Sequence, residues 1–81
     1  MVVLIELLGM QREITRIGKI KMPITERTLV RDALEYIRSR YPALTLEENS
    51  ILTTVNHELS PLNRPLKAND NICILPHIGG G

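Results

Sequence analysis

A chain of 81 residues fits one domain and leaves no room for two. A hydrophobic fraction of 43% is that of a globular protein rather than a disordered one. Ten basic against nine acidic residues give a formal net charge of +1, and only two aromatics occur, so a basic nucleic-acid footprint and a base-stacking platform are both excluded.

In chain order, Val2 to Leu8 is apolar except for Glu6 and stops at Gly9, which predicts a buried strand. A turn is expected around Gly9-Met10-Gln11. The stretch Glu13 to Met22 partly alternates apolar and polar residues. It predicts a second, antiparallel strand with a bend or bulge near Gly18, closed by Pro23. Thr28 is a good N-cap for a helix from Leu29 to Arg40. Leu29, Ala33, Leu34, Ile37 and Tyr41 form its apolar stripe, while Arg31, Asp32, Glu35 and Arg38 take the other face. Pro42 ends it.

Leu44 to Ser50 is expected to be a polar connection, and Ile51 to Asn56 a third strand. Asn56-His57-Glu58 predicts a tight turn into a short extended piece at Leu59-Ser60. Pro61 to Leu66 is a loop with Leu66 as its apolar anchor, and Lys67 to Asp70 is turn chemistry. Asn71 to Pro76 predicts the last strand. The order is ββαβ(β)β, an α+β domain with a four- to five-stranded mixed sheet on one main helix. We expect this domain to span 1-76, with 77-81 as a flexible tail.

One helix covers one face of such a sheet, and the other face should then alternate cleanly. The first and last strands do not alternate: Val2-Val3-Leu4-Ile5 and Ile72-Cys73-Ile74-Leu75 are apolar on both faces. Either loops cover the second face or it docks another protein.

Catalytic constellations are missing. His57 and His77 fall in turn or tail positions and lack companions for a metal site. Cys73, the single cysteine, excludes an internal disulfide framework and reads as a small buried hydrophobe. The start at Met1 has neither a basic region nor a cleavage site, and no apolar run reaches membrane-spanning length. A cytoplasmic location is expected, with no membrane and no nucleic-acid partner.

The chain closes on Gly79-Gly80-Gly81 directly after a strand and a proline. Composition alone also allows a frayed glycine end. Glycine has no Cβ, so such a tail can thread a channel too narrow for other residues. The five residues after Pro76 reach roughly 17 Å when extended. The Gly81 carboxylate is a poor acyl donor until ATP converts it to an acyl-adenylate, which a sulfur or amine nucleophile can attack. The activating machinery must then be another protein.

Several features together resemble the MoaD/ThiS sulfur carriers, small relatives of ubiquitin. They are Val55-Asn56 ending a strand, Pro65-Leu66 in a loop, Asp70 before the last strand and Pro76 to Gly81 at the end. In that family two prolines and two variable residues precede a diglycine. Here His77 stands for the second proline, Gly79 precedes the pair, and Gly80 and Gly81 match the functional diglycine.

The resemblance implies a ubiquitin-like β-grasp fold and a carrier or cosubstrate rather than an enzyme. It implies adenylation at Gly81 by a ubiquitin-activating-enzyme-like adenylyltransferase that consumes ATP, with no cofactor bound permanently. Conversion to a thiocarboxylate and delivery of sulfur to an acceptor would follow. In the molybdopterin branch the partner is the large subunit of the synthase, and chain length favours this branch over thiamine carriers. Under this reading Gly80 and Gly81 carry the chemistry, and Leu59, Leu75, Pro76, His77, Ile78 and Gly79 contact partners. The alternatives are a modifier joined to lysines through Gly81, a thiamine-type carrier, and a plain interaction or RNA-associated module with an idle tail, the even charge arguing against RNA.

Overall fold

A computed structural model describes residues 1–8, 16–44 and 51–76. Five strands, β1 (Val2–Leu7), β2 (Lys19–Pro23), β3 (Ile51–Val55), β4 (Glu58–Leu59) and β5 (Asn71–Pro76), form one sheet in the order β2-β1-β5-β3-β4. Among the described residues one helix, α1 (Val30–Arg40), packs on it. β1 pairs with β2 antiparallel and with β5 parallel, while β3 pairs antiparallel with both β5 and β4. The sheet is therefore mixed, and β1 and β5, the two strands apolar on both faces, lie inside it.

Period-two alternation decides what goes inward. Val3, Ile5 and Leu7 of β1 meet Ile72 and Ile74 of β5 and Ile51 and Val55 of β3 in one core. The helix adds Val30, Ala33, Leu34 and Ile37 at 3.6-residue spacing. Ile5, Val30, Ala33, Ile37, Val55, Ile72 and Ile74 show no exposed surface. Each such aliphatic side chain contributes about 1.5–3 kcal/mol by leaving water, alanine less.

The helix starts differently from expectation. Leu29, not Thr28, is the N-cap residue, and its backbone is extended. The Thr28 hydroxyl accepts instead from the Thr25 N–H at 2.9 Å. Leu29 has no capping oxygen, so Asp32 reaches back, and its carboxylate accepts the Leu29 N–H at 2.8 Å. Arg38 and Arg40 lie in the last turn, where cations suit the helix dipole. Arg38 also pairs with Glu35 at 2.7 Å.

β2 is shorter than expected. Residues 16–18 precede it without joining it, and Arg16 has φ 61, which breaks the extended run. The Leu7 N–H nevertheless donates to the Gly18 carbonyl at 2.9 Å. Leu44, expected in a polar connection, is 5% exposed and joins the core. The expected turn at 9–11, residues 13–15 of the expected strand and positions 45–50 lie outside the described residues.

Candidate functional site at the face away from the helix

The strands that build the core through one face present a second set of side chains on the other. Leu4, Glu6, Lys19, Lys21, Leu52, Thr54, Asn71, Cys73 and Leu75 alternate with the buried positions. Register fixes who sits beside whom. Leu75 is opposite Leu52 and Cys73 is opposite Thr54 across β5 and β3, while Glu6 is level with Cys73 across β1 and β5. Leu59 is opposite Thr54 on β4 and stands 70% exposed. Leu8 and Leu52 are 37% and 40% exposed, and Leu75 is half-buried. Leu8, Leu52, Leu59 and Leu75 gather towards one end of this face, while Val2, 43% exposed, stands on the same face at the other end of β1.

Two concavities shape this region. One, of about 350 Å³, is lined by Glu6, Leu8, Thr54, His57, Asn71, Cys73 and Leu75. The other, of about 390 Å³, is lined by Ile51, Leu52, Thr53, Leu59, Ser60, Pro61 and Leu62. The polar atoms around the second are largely matched internally. The Thr53 hydroxyl donates to the Ser60 carbonyl at 3.1 Å and the Ser60 hydroxyl to the Pro61 carbonyl at 3.0 Å.

Cys73 is half-buried on this face, not enclosed in the core as expected, because Ile72 and Ile74 take the inward positions. Burial first, and the Glu6 carboxylate second, raise its thiol above the usual range. The Asn71 amide donates to Glu6 at 3.1 Å, and its own Oδ1 is buried with no partner among the described residues. His57 is exposed in the β3–β4 turn. Among the described residues no group of three metal-binding side chains is present.

β5 delivers the chain to the face's apolar end. Pro76 is paired with Ile51, one step past the Leu75–Leu52 pair. His77, Ile78, Gly79, Gly80 and Gly81, expected to carry the chemistry and the partner contacts, lie outside the described residues. The structure thus places Leu59 and Leu75 on one face. Glu6, Leu8, Leu52, Thr54 and Asn71 were not singled out from sequence, although the two-faced apolarity of β1 and β5 was the signal for such a surface.

The family model described as the ThiS family matches residues 5–81. The chain belongs to the ThiS family. Solved structures share its fold. The small archaeal modifier protein 1 from Methanosarcina acetivorans is 26% identical with a TM-score of 0.79, the match covering 99% of this chain and 96% of that one. The Amycolatopsis orientalis BexX/CysO complex matches at 23% identity and TM-score 0.72, over 98% and 99% of the two chains. The complex of molybdopterin-converting factor subunits 1 and 2 from Helicobacter pylori matches at 24% and 0.66, over both whole chains. Among curated proteins, no sequence matches significantly. The mixed five-stranded sheet on one helix is the β-grasp, ubiquitin-like fold, and ThiS-family members are small carrier proteins. No helix among the described residues is long and apolar enough to cross a membrane.

Proposed function

We propose that this ThiS-family chain is a sulfur carrier working through the Gly81 carboxylate, with molybdopterin synthesis as its pathway. The observation that carries this reading is the continuity of β5. A central strand of a rigid sheet runs straight into a glycine-ended tail, beside an exposed aliphatic surface. A rigid base and a docking face next to it restrict where the tail can go, which lowers the entropy lost when a partner seats it.

The chemistry follows from the carboxylate. One Gly81 oxygen attacks the α-phosphorus of ATP on a ubiquitin-activating-enzyme-like adenylyltransferase, and pyrophosphate leaves. Hydrosulfide then attacks the activated carbonyl and AMP departs, leaving a thiocarboxylate and a proton. Delivery to the acceptor ends with water restoring the carboxylate. The carrier supplies the acyl group and the docking surface. The synthase large subunit would receive the same tail. Pro76 stiffens its exit, Gly79 and Gly80 pass through the channel, and His77 and Ile78 contact the channel mouth.

Intact-mass analysis after incubation with ATP, sulfide and the cognate adenylyltransferase tests the reading. Replacement of one C-terminal oxygen by sulfur is expected, and absent when Gly81 is deleted. An unchanged mass, where a known carrier is converted alongside, overturns it.

The modifier reading is favoured by the likeness to the Methanosarcina modifier protein. It needs the same activated tail with a lysine amine as the nucleophile. Adducts of higher mass in extracts, lost on deletion of Gly80 and Gly81, would select it.

A further inference from the structure

The face away from α1 is not uniformly apolar, and its polar side lies at the opposite edge from Leu59. β2 forms that edge, and its alternation turns Ile20 and Met22 towards the core and Lys19 and Lys21 outward, both exposed. Two residues apart on one strand, their Cα atoms are about 7 Å from each other. The residues opposite them do not neutralise both. Lys21 is level with Leu4, which carries no charge. Lys19 is level with Glu6, whose carboxylate keeps its charge while accepting from the Asn71 amide at 3.1 Å, so the two lysines leave an excess of one positive charge here, centred on Lys21. Among the described residues neither lysine forms an ion pair.

We propose that the adenylyltransferase that activates the tail also reads this cationic stripe. Its contact surface carries an aliphatic patch for Leu8, Leu52 and Leu75 and carboxylates placed to meet Lys19 and Lys21. This inference rests on the carrier reading. The distances suit a single interface: β2 lies two strand spacings, about 10 Å, from β5, well inside the roughly 28 Å breadth of the ~800 Å² patch that one partner contributes to a standard complex. The apolar end and the cationic edge are offset across the face, so a partner complementary to both can dock in one orientation. That orientation is what a tail reaching roughly 17 Å requires. Opposite charges at the rim chiefly accelerate encounter and exclude wrong partners.

Lysines on an edge strand also guard it against pairing with another chain. The two roles separate by charge sign, because a glutamate guards the edge equally well but repels an acidic partner. The experiment is stopped-flow association of the full chain, with a free C-terminus, with the cognate adenylyltransferase at low and high salt.

K19E/K21E is expected to lower the association rate about tenfold at low salt, with the gap closing as salt screens the rim. K19Q/K21Q should fall between it and the parent. R31E/R40E reverses two exposed charges on the helix that covers the opposite face. It makes the same change in net charge and should stay within about twofold of the parent. Thermal melts and elution volume verify that each variant is folded and monomeric. Equal rates for the sheet and helix reversals, with the parent still converted to thiocarboxylate, overturn this inference alone. A parent chain that is neither bound nor converted overturns the carrier reading and this inference with it.

Discussion

Asn56 commits both ends of its side-chain amide to holding two turns together. Its Nδ2 donates to Asp70 Oδ1 at 2.9 Å and its Oδ1 accepts the Asn71 N–H at 3.0 Å. The other Asp70 oxygen accepts the Lys67 N–H at 2.8 Å. Asp70 is 8% exposed, so losing Asn56 strands a buried acceptor as well as a backbone donor. Asn56→Ala should therefore destabilise by about 1–3 kcal/mol in urea unfolding, more than an exposed substitution. The neighbouring His57 shows the opposite balance. Asn56 and His57 have φ 53 and 72, the left-handed pair of a two-residue hairpin turn. Asparagine tolerates this and histidine does so less well, so His57→Gly should stabilise by about 1 kcal/mol, read as a raised melting temperature.

Cys73 gives a pH prediction whose sign is fixed by burial. Its thiol is raised in the folded chain, so the folded state keeps a proton that the unfolded chain has already released. Stability from this group is complete below the usual thiol range and is lost as pH rises through the folded value. Alkylation of the folded chain should accordingly lag behind that of the urea-unfolded chain at pH 8, and the two should converge in stronger alkali. Equal rates at pH 8 would contradict the burial seen around Cys73.

At the scale of elements, the helix depends on a residue three positions into it. With leucine at the N-cap position, Asp32 alone supplies a side-chain acceptor to the Leu29 N–H. Asp32→Ala should cost about 1 kcal/mol, measured by denaturation, whereas Thr28→Ala should act only through the bend at Thr25. Local reading chose Thr28 because a hydroxyl before an apolar period is the usual signal. It could not see that the Thr28 carbonyl is already used by the Leu66 N–H at 2.9 Å and that Leu29 bridges to Pro65. These contacts join segments far apart in sequence. The strand β5 was legible with its bounds, since turn residues precede it and a continuous apolar run fills it. β4 was legible from the Asn56-His57 turn. Leu44 was not, because Leu44 and Leu46 alone in a polar stretch do not establish an element, and only tertiary contact reveals that Leu44 is buried.

At the scale of the molecule, the sheet buries its core on one face and leaves aliphatic side chains exposed on the other. Ile37 is wholly buried between helix and sheet, and Ile37→Ala should cost about 2–5 kcal/mol. Leu52 stands 40% exposed on the far face. Leu52→Asp should leave a folded chain with a modest loss in melting temperature, yet weaken binding to the adenylyltransferase at least tenfold under the carrier reading. The unbroken apolarity of β1 and β5 left two explanations open, a face covered by loops or a docking face, and the structure shows Leu52 and Leu8 exposed there. The sequence did not show which residues shared the face, because strand neighbours depend on sheet order. Leu75 meets Leu52 only once β5 lies beside β3, and Glu6 meets Asn71 across 65 positions of chain.

The parallel pairing of β1 with β5 also sets the tempo of folding. β1 finds β2 early, through a local hairpin, but its second edge stays open until β5 arrives from the far end of the chain. Closing that loop costs entropy before any contact rewards it, which places the domain among slower-folding topologies. During that interval an apolar strand with an unpaired edge is exposed, the species most prone to stick to its own kind. A chain stalled or cut before residue 71 would hold this state indefinitely, so refolding yield should fall steeply with protein concentration for a 1–70 fragment and only weakly for the whole chain.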